Sequence, residues 1–358
     1  MKIGFDAKRA FINRSGLGNY SRDIIRSLHE YFPQNQYVLF TPEKTTELLE
    51  KKYLKNVKFP KARTKLGKSY WRSFSIIKDI EKSNLDIYHG LSNELPFGIE
   101  KLKLKKVVTI HDLIFLEIPK LYPLIDRKIY HKKFLHACKT ADKIIATSQQ
   151  TKNDIIKHFG IENNKIVVIY QSCNQIFTKP VEEEIAKNVL KKYNLRNNYI
   201  LNVGTLEVRK NALNILKAVY YFNINTNIVF VGRKTSYYKE LKKYIDAHKM
   251  NKKVHFLSNV STEELAAIYQ KSKLFIYPSL YEGFGIPILE AFSSGVPVIA
   301  SNSGSPAEIA GDAAIQVEAL NAKSIGLAIQ SLLDSPELAQ KLIKEGKQRA
   351  KLFYIENV

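Results

Sequence analysis

Short apolar runs alternate with amphipathic stretches along the whole chain of 358 residues. Strands buried on both faces of a sheet appear as continuous apolar runs, so this alternation predicts parallel sheets covered by helices on both sides. A single sheet of twelve strands would be unusually large. The sequence therefore predicts an α/β protein with two Rossmann-like, doubly wound domains. The predicted strands are 2–6, 37–40, 56–59, 86–89, 106–112, 143–148, 166–170, 199–204, 227–232, 253–257, 274–279 and 296–301.

The predicted domain boundary lies between Cys173 and Pro180, where a strand has ended and a helical pattern begins. We place it after residue 175, which gives domains of residues 1–175 and 176–358, close to the common domain size of roughly 150 residues. Ligands of open α/β sheets bind at the carboxyl ends of the strands. Two such domains facing each other would hold a ligand in the cleft between them.

The charge balance limits the classes of partner. The chain has 56 Lys and Arg against 34 Asp and Glu, a formal net charge of +22, of which residues 1–175 carry +15. Such an excess favours anionic partners: nucleic acid, an acidic membrane surface or phosphorylated substrates. Helices solvated by lysine explain the same excess without any partner. The basic residues are dispersed and form no recognisable nucleic-acid module, so we expect no nucleic-acid partner.

The two cysteines, Cys138 and Cys173, exclude a disulfide framework and a Cys-rich metal site, and they fit a reducing compartment. No apolar run approaches the roughly 20 residues of a membrane span. The N-terminus enters a predicted strand directly, without the pattern of a signal peptide. The sequence therefore predicts a cytoplasmic protein.

The stretch "EGFGIPILEAFSSGVPVIAS" (282–301) combines helix signals with residues suited to a ligand. Pro287 suits the first position of a helix and Gly295 its stop, which predicts a helix over about 287–294. An ordinary strand–turn–helix–strand unit would explain these features without any ligand.

Two carboxylates flank the turn of this stretch. Glu282 lies in the predicted loop, and Glu290 lies about one turn inside the predicted helix. Between them, Gly283, Phe284 and Gly285 would present backbone N–H groups at the positive end of a helix. Carboxylates accept strongly from sugar hydroxyls, so this pattern favours a ligand whose hydroxyls flank phosphates, as in a nucleotide sugar.

A glycine-rich stretch, "SGLGNYSRDIIRSLHE" (15–30), follows the first predicted strand after a loop of eight residues. Gly16 and Gly18 allow close backbone approach, and a helix is predicted to begin near Asn19. Exposed N–H groups at such a helix end attract phosphate. The stretch departs from a dinucleotide fingerprint, because the loop is too long and Ser21 occupies the third glycine position. A plain structural turn remains an alternative.

Basic and imidazole side chains follow other predicted strands. Arg209 and Lys210, in "VGTLEVRKN" (203–211), offer a bidentate fork and a compact charge for phosphate oxygens, although a solvated surface pair is the alternative. His111, in "TIHDL", ends a strongly apolar strand and would face the cleft, unless it is a satisfied structural histidine. His89 ends the preceding strand in the same manner and is the weaker candidate.

Several chemical motifs are absent from the sequence. There is no D-x-D pair to hold a divalent metal on a diphosphate, and no phosphate loop of the form G-x-x-x-x-G-K-[ST]. There is no G-x-S-x-G to support acyl hydrolysis. Arg209, Lys210 and helix ends could neutralise a leaving diphosphate without a metal. The sequence therefore predicts no cofactor and no metal site.

Taken together, these motifs resemble the retaining, two-domain GT-B glycosyltransferases of family 4, over nearly the whole chain and in the right order. "EGFGIPILE" is similar to the family's E-x7-E motif, and "GTLEVRKN" to its basic phosphate motif. "GLGNYS" is similar to its glycine loop, "HDL" to its cleft histidine motif, and "GSPAEIAGDAA" (304–314) to a segment near the donor.

The resemblance implies roles for individual residues. Glu282 would contact the donor sugar, together with the backbone of Gly283–Gly285. Glu290 would bind the ribose hydroxyls. Arg209 and Lys210 would hold the diphosphate, and Gly16 and Gly18 would approach it from the acceptor-side domain. His111 would lie by the transferred sugar, which makes His111 and Glu282 the catalytic candidates. A last helix usually crosses back to the first domain in this fold.

The resemblance also implies transfer of a hexose with retention, the leaving diphosphate taking the acceptor's proton. Within this family the sequence most resembles bacterial mannosyltransferases. This favours GDP-mannose as the donor and a glycan or lipid-linked glycan of a surface polysaccharide as the acceptor. Glucosyl, GlcNAc and deoxyhexosyl transfer remain alternatives, as does a UDP-GlcNAc epimerase of similar fold. The imperfect glycine loop disfavours a dehydrogenase.

The segment "KLGKSYWRSFSIIKDI" (65–80) could attach the protein to the inner face of a membrane. It places Tyr70, Trp71 and Phe74 among basic residues, as interfacial segments do, and anionic bilayers attract clusters of Lys and Arg. Ordinary helix packing would explain the same pattern.

Overall fold

The structure is a computed structural model that describes residues 1–14, 16–43, 48–62 and 64–357. The chain divides into two compact units, Met1–Tyr170 and Gln171–Val358. This division lies five residues before the predicted boundary at residue 175. Cys173 already lies within electrostatic range of Tyr269 in the second unit, so the segment after the last strand of the first unit belongs to the second.

The first unit is built on a parallel sheet of seven strands in the order β3-β2-β1-β4-β5-β6-β7. The reversal of strand order beside β1 is the topology of a doubly wound fold. Its strands are β1 (Lys2–Asp6), β2 (Gln36–Phe40), β3 (Val57–Lys58), β4 (Ile87–Gly90), β5 (Lys105–Ile110), β6 (Lys143–Ala146) and β7 (Ile166–Val168).

The second unit repeats the plan with a parallel sheet of six strands in the order β10-β9-β8-β11-β12-β13. The four residues of β9 and of β12 are all buried, as expected for strands covered on both faces. Its strands are β8 (Tyr199–Val203), β9 (Ile228–Val231), β10 (Val254–Leu257), β11 (Ser272–Tyr277), β12 (Val298–Ser301) and β13 (Ala314–Val317).

Helices connect the strands of both units and bury apolar faces against the sheets. In the first unit they are α1 (Lys8–Ile12), α2 (Gly16–Tyr31), α3 (Lys65–Tyr70), α4 (Ile76–Lys82), α5 (Ile114–Glu117), α6 (Leu124–Thr140) and α7 (Gln149–Phe159). In the second they are α8 (Glu183–Lys192), α9 (Ala212–Tyr221), α10 (Tyr238–Ala247), α11 (Thr262–Gln270), α12 (Ile286–Ser293), α13 (Gly304–Ala310), α14 (Ala322–Asp334) and α15 (Pro336–Lys351). No helix among the residues described is long and apolar enough to cross a membrane.

The twelve predicted strands are confirmed within a few residues at their ends, and one further strand, β13, was not predicted. β13 pairs only with β12, so it forms an edge of the sheet, and its Gln316 is exposed. A half-exposed edge strand lacks the continuous apolar run by which the buried strands were recognised.

The prediction for the glycine-rich stretch was wrong in its local structure. Helix α1 occupies the predicted eight-residue loop, and α2 begins at Gly16 rather than near Asn19. A Cβ atom at Gly18 would lie 1.8 Å from the backbone oxygen of Asn13. Gly18 therefore allows α2 to pack closely on the chain that precedes it.

Candidate active site

The turn after β11 connects a buried strand to helix α12. The observed helix, Ile286–Ser293, confirms the predicted one, with Pro287 in its first turn. Gly295 follows it at φ +72°, a left-handed conformation that commonly ends a helix. Gly285 precedes the helix at φ +139°, which any residue with a side chain would adopt only under strain.

Glu282 lies in this turn and is buried, with 8% of its surface exposed. Its Oε1 lies 2.5 Å from Nζ of Lys210 and accepts a hydrogen bond of 2.5 Å from the hydroxyl of Ser279. Its Oε2 lies 2.7 Å from Nη1 of Arg209. The structure thus brings together three of the predicted site residues as one carboxylate between two cations.

The two cations are placed by the turn that follows β8. Val208–Lys210 form a 3₁₀ turn, which ends at Asn211 in a left-handed conformation, and the side chain of Asn211 donates to the carbonyl of Pro278. Gly204 lets the stem of Lys210 pass, because a Cβ atom there would lie 3.2 Å from Cε of Lys210. The Glu282 turn and the cation turn are therefore tied together by a side-chain hydrogen bond to the backbone as well as by charge.

The charges of this cluster stabilise one another. Burial alone would raise the pKa of Glu282, but Lys210 and Arg209 outweigh it and lower the pKa to about 2. Burial would likewise lower the pKa of Arg209, but Glu282 outweighs it and the pKa is raised. Burial lowers the pKa of Lys210, opposed by Glu282. We infer that all three groups are charged near neutral pH.

Glu290 has a different environment, although it belongs to the same stretch. The hydroxyl of Tyr269 donates to its Oε2 at 2.9 Å and lies 3.3 Å from the carbonyl of Pro287. Burial raises the pKa of Glu290 to about 7, against the opposing effect of the hydrogen bond from Tyr269. Glu290 is therefore a carboxyl group that changes its protonation near neutral pH.

The backbone between the two glutamates is fixed from both sides. Phe284 is buried and contacts the ring of Phe353, with 6.1 Å between centroids. The hydroxyl of Ser305 donates to the carbonyl of Glu282 at 2.8 Å. The turn is thus a rigid platform whose conformation is set by the second unit itself.

His111 follows β5 in the first unit and is buried, with 6% of its surface exposed. Its Nε2 lies 2.9 Å from the carbonyl of Leu91, which can only accept, so Nε2 carries the proton. Nδ1 then carries a lone pair. Burial lowers the pKa of His111 to about 4, opposed by the Leu91 carbonyl, and the ring is neutral at pH 7.

His111 is held by further contacts on its backbone and its ring face. The side chain of Asn93 accepts from its backbone N–H at 2.7 Å, and the ring of Tyr20 meets the imidazole edge-on at 4.6 Å. The Tyr20 hydroxyl and Nε2 of His89 each lie 2.9 Å from the hydroxyl of Thr109. Nε2 of His89, the weaker candidate, is therefore used in a hydrogen bond inside the fold.

The segment 65–80 is helical throughout, with a π-helical turn at Trp71–Ser75 between α3 and α4. Trp71 is buried and donates to Asp79 at 2.7 Å, and Arg72 is held in buried ion pairs. The expectation that the whole aromatic set faces a membrane is wrong for Trp71. Tyr70 and Phe74 are exposed, at 61% and 47%.

The structure divides the predicted residues between its two units. Arg209, Lys210 and Glu282 form one cluster, with the turn and Glu290 following in the same unit, whereas His111, Gly16 and Gly18 belong to the other. Supporting residues were not predicted: Gly204, Tyr277 and Ser279 contact the cluster, Asn211 ties its two turns together, and Tyr269 contacts Glu290. Tyr277 accepts a hydrogen bond of 2.6 Å from Nζ of Lys210. Its place at the carboxyl end of β11 was a usable signal, because ligand-facing groups gather there.

Two family models match the chain, one in each half. The model described as Glycosyltransferase Family 4 matches residues 14–174. The model described as Glycosyl transferases group 1 matches residues 182–349.

Individual proteins agree with these models. The O-antigen chain mannosyltransferase B of Escherichia coli is 32% identical over 277 residues, which cover 76% of this chain and 71% of the relative. The sucrose-phosphate synthase of Thermosynechococcus elongatus superposes with a TM-score of 0.81 at 19% identity, covering 99% of this chain and 96% of that one. The Anabaena protein Alr3699/HepE, in complex with UDP, gives 0.78 at 15% identity, covering 99% and 96%. These likenesses confirm the predicted GT-B fold.

Proposed function

Because the chain belongs to glycosyltransferase family 4, we propose that it transfers a mannosyl residue from GDP-mannose to a glycan or lipid-linked glycan acceptor. The mannosyl donor is supported by the E. coli relative and by a second, the O-antigen chain mannosyltransferase RfbU of Salmonella typhimurium, 29% identical over 272 residues. Both relatives are named for O-antigen chains, which supports an acceptor from surface polysaccharide synthesis. Glucosyl, GlcNAc or deoxyhexosyl transfer remains the alternative.

The observation that carries the proposal is the cluster of Glu282, Arg209 and Lys210. Lys210 has three N–H donors, of which the contacts to Glu282 and Tyr277 use two. The cluster has a net charge of +1, since two cations surround one carboxylate. It can therefore receive a phosphate oxygen while Glu282 stays in place to accept from a sugar hydroxyl.

The remaining roles follow the family pattern. Glu290 accepts from the ribose hydroxyls, and Gly283–Gly285 offer backbone to the sugar and phosphate. Gly16 and Gly18 lie in the first turn of α2, where N–H groups attract anions. His111 is neutral, and its Nδ1 can accept a hydrogen bond from the transferred sugar.

We further propose that transfer proceeds with retention and without a divalent metal. The leaving diphosphate takes the acceptor's proton, and Arg209 and Lys210 stabilise its charge, which is the part that a metal performs elsewhere. Activity that is unchanged in excess EDTA is the expected result. Activity that is lost with EDTA and restored by Mg²⁺ or Mn²⁺ would contradict this part of the proposal.

A screen of donors tests the substrate. Thermal unfolding with GDP-mannose, UDP-glucose and UDP-GlcNAc should show the largest rise in Tm with GDP-mannose, since a ligand stabilises the state that binds it. A larger rise with either UDP sugar would reassign the donor. Epimerisation or hydrolysis of UDP-GlcNAc, without transfer to any acceptor, would favour the epimerase instead.

A charge-removing variant tests the site. Glu282→Gln keeps the size of the side chain and should lower kcat by about 10²-fold or more, as losses of single transition-state contacts do. Glu207→Gln is the matched control, because Glu207 also pairs with Arg209, at 3.0 Å, but is 38% exposed. Equal activity of the two variants would remove Glu282 from the mechanism.

We also propose that the protein works in the cytoplasm and attaches peripherally to the anionic inner face of a membrane. The support is the positive charge of the first unit and the exposed Tyr70 and Phe74 of the 65–80 segment. Flotation with anionic liposomes should be salt-sensitive and weaker in Tyr70→Ser/Phe74→Ser. Equal flotation of the wild type with neutral liposomes would contradict an electrostatic attachment.

A further inference from the structure

A recess opens at the carboxyl edge of the first unit's sheet, apart from the residues assigned above. It is narrow and partly open to solvent, with room inside for a group about the size of one water molecule, such as a hydroxyl. Its walls come from the end of β1, the π-helical turn, the loop after β4, and α6. The polar and aromatic residues that line it include Asp6, Arg72, Ser73, Glu94, Phe97 and Lys133.

Glu94 is held in place by hydrogen bonds to one of its carboxylate oxygens, while the other oxygen can still accept. Arg72 donates to its Oε2 at 2.8 Å, and Lys133 donates to the same oxygen at 3.0 Å. The described residues provide no hydrogen bond to its Oε1, and its side chain is 21% exposed. A carboxylate oxygen accepts up to two hydrogen bonds, so Oε1 is available to a ligand.

Asp6 contacts the same arginine, but neither of its carboxylate oxygens is available to a ligand. Arg72 donates to both of its oxygens, from Nε and Nη2, and the backbone N–H of Lys8 donates to Oδ1. Both carboxylate oxygens of Asp6 are therefore used inside the protein. Asp6 fixes Arg72, and Arg72 in turn fixes Glu94.

The charges that line the recess favour a neutral ligand. Two carboxylates balance two cations there, and both cations are already paired. Lys8 interacts electrostatically with Arg72 and Glu94 but does not line the recess. A phosphate would meet cations that are already paired with carboxylates, whereas a hydroxyl needs only the open oxygen of Glu94.

An aromatic wall lies beside this carboxylate. Phe97 is half-buried and stacks on Phe74, with 5.3 Å between centroids, and on His136, with 4.3 Å. Its backbone N–H donates to the carbonyl of Ser73 at 2.8 Å, which fixes the wall to the π-helical turn. Because Phe97 is stacked on two other rings, it offers an apolar edge rather than an open face, and such a wall beside a single strong acceptor suits a hydroxyl carried by an apolar C–H group.

The same loop also supports His111. Leu91 accepts from the imidazole and Asn93 from the backbone N–H of His111, and Glu94 is the next residue. A ligand on Glu94 would therefore bind beside the loop that positions the predicted catalytic histidine.

We propose that Glu94, oriented by Arg72 and Lys133, accepts a hydrogen bond from a hydroxyl of the acceptor sugar, in a subsite walled by Phe97. This proposal rests on the transferase function proposed above. The ligand class is a neutral, polyhydroxylated ring rather than a phosphate.

Binding of simple glycosides tests the subsite directly. The probes are methyl glycosides of mannose, glucose and galactose, titrated by NMR with GDP and UDP both present to occupy the donor site. We expect at least one glycoside to bind the wild type, and its Kd to rise about ten-fold or more in Glu94→Gln, because a hydrogen bond to a charged acceptor is lost.

Glu117→Gln is the matched control. Glu117 lies in the same unit, is 20% exposed, and also pairs with two basic side chains, Lys157 at 2.7 Å and His158 at 2.5 Å. It does not line the recess, so glycoside affinity should be unchanged. Equal affinity in Glu94→Gln and the wild type, or no glycoside binding to the wild type, would overturn the subsite. Displacement of the glycoside by inorganic phosphate would overturn its class of ligand.

A second variant covers a failure of Glu94→Gln to fold. Lys133→Met removes one of the two orienting cations from a side chain that is 25% exposed, and it should weaken glycoside binding several-fold. Unchanged binding in folded Lys133→Met would count against the proposal. Thermal shifts with nucleotides test the donor site separately. If no nucleotide raises Tm but a glycoside still binds in a manner that depends on Glu94, the subsite is supported and the transferase function is contradicted.

Discussion

The turn that carries Glu282 and the helix that carries Glu290 give two carboxyl groups of one stretch opposite properties. Both glutamates are withdrawn from water, which favours the protonated form. Glu282 has two cations within 2.7 Å, and its pKa falls to about 2. Glu290 accepts instead from a neutral phenol, that of Tyr269, and burial raises its pKa to about 7. Burial acts on both groups and decides the state of Glu290, whereas the neighbouring cations outweigh it at Glu282.

The difference suits two tasks in the proposed reaction. A permanently charged Glu282 holds two cations in place for a diphosphate. When Glu290 is protonated, one of its oxygens carries a hydrogen and donates, so Glu290 has fewer oxygens with which to accept from ribose hydroxyls. We therefore expect the Glu282 cluster to dominate stability, and Glu290 to set the pH dependence of nucleotide binding.

The largest effect should come from deleting the carboxylate between the cations. Glu282→Ala leaves Arg209 and Lys210 buried without their shared partner, so the free energy of unfolding should fall by about 3–5 kcal/mol. Urea denaturation measures it. Glu207→Ala removes an exposed partner of Arg209 and should cost less than about 1 kcal/mol. Similar losses in the two variants would show that Glu282 is not the group on which the cations depend.

Low pH should remove the contribution of Glu282 to the free energy of unfolding. Its pKa of about 2 lies below the ordinary value of 4.5, so its charge stabilises the fold above about pH 4.5, and this contribution is lost as the pH falls towards 2. The stability difference between wild type and Glu282→Gln should shrink by about 2 kcal/mol between about pH 6 and about pH 3. A difference that stays constant over that range would mean that charge is not its source.

Glu290 should show the opposite sign. Its folded pKa of about 7 exceeds the ordinary 4.5, so the folded state binds the proton more tightly, and stability falls as the pH rises between these values. Because Glu290 keeps some exposure, we expect a loss of about 1–2 kcal/mol. Glu290→Gln should remove this slope, measured as unfolding free energy at several pH values. Parallel profiles would contradict the raised pKa.

The same titration should appear in nucleotide binding. Protonation of Glu290 below about pH 7 replaces an acceptor by a donor, so affinity for GDP should weaken several-fold from about pH 8 to about pH 6 in the wild type. Glu290→Gln should bind more weakly at the higher pH and show little pH dependence. Calorimetry measures both, and an unchanged affinity in the variant would refute the ribose role of Glu290.

Much of the fold could be predicted from the sequence because buried parallel strands are recognisable one at a time. The edge strand β13 and the start of α2 escaped prediction for local reasons. β13 exposes Gln316, and the glycines at 16 and 18 suggested a loop, whereas Gly18 serves close packing against Asn13.

The candidate site was predictable as a set of residues but not as an arrangement. Arg209 and Glu282 lie far apart in the chain, and only the pairing of β8 with β11 brings the turns after these strands together. Arg209 and Lys210 were predicted as ligands of phosphate, and the glutamates as ligands of sugar hydroxyls. The pairing of Glu282 with the two cations was therefore not predicted. The contact of Tyr269 with Glu290, which opposes the rise in the pKa of Glu290, is likewise one that no local pattern indicates.

The smallest expected effect isolates that tyrosine. Tyr269→Phe removes the hydrogen bond to Glu290 and should cost about 1 kcal/mol of unfolding free energy. Because this bond opposes the rise in the pKa of Glu290, its loss should move the midpoint for GDP binding to higher pH. Tyr199→Phe is the control: Tyr199 is buried in the same unit and donates to a backbone carbonyl, that of Ile268, at 2.6 Å. It should cost similar stability and leave the midpoint unchanged, and equal midpoints in the two variants would mean that Tyr269 does not tune Glu290.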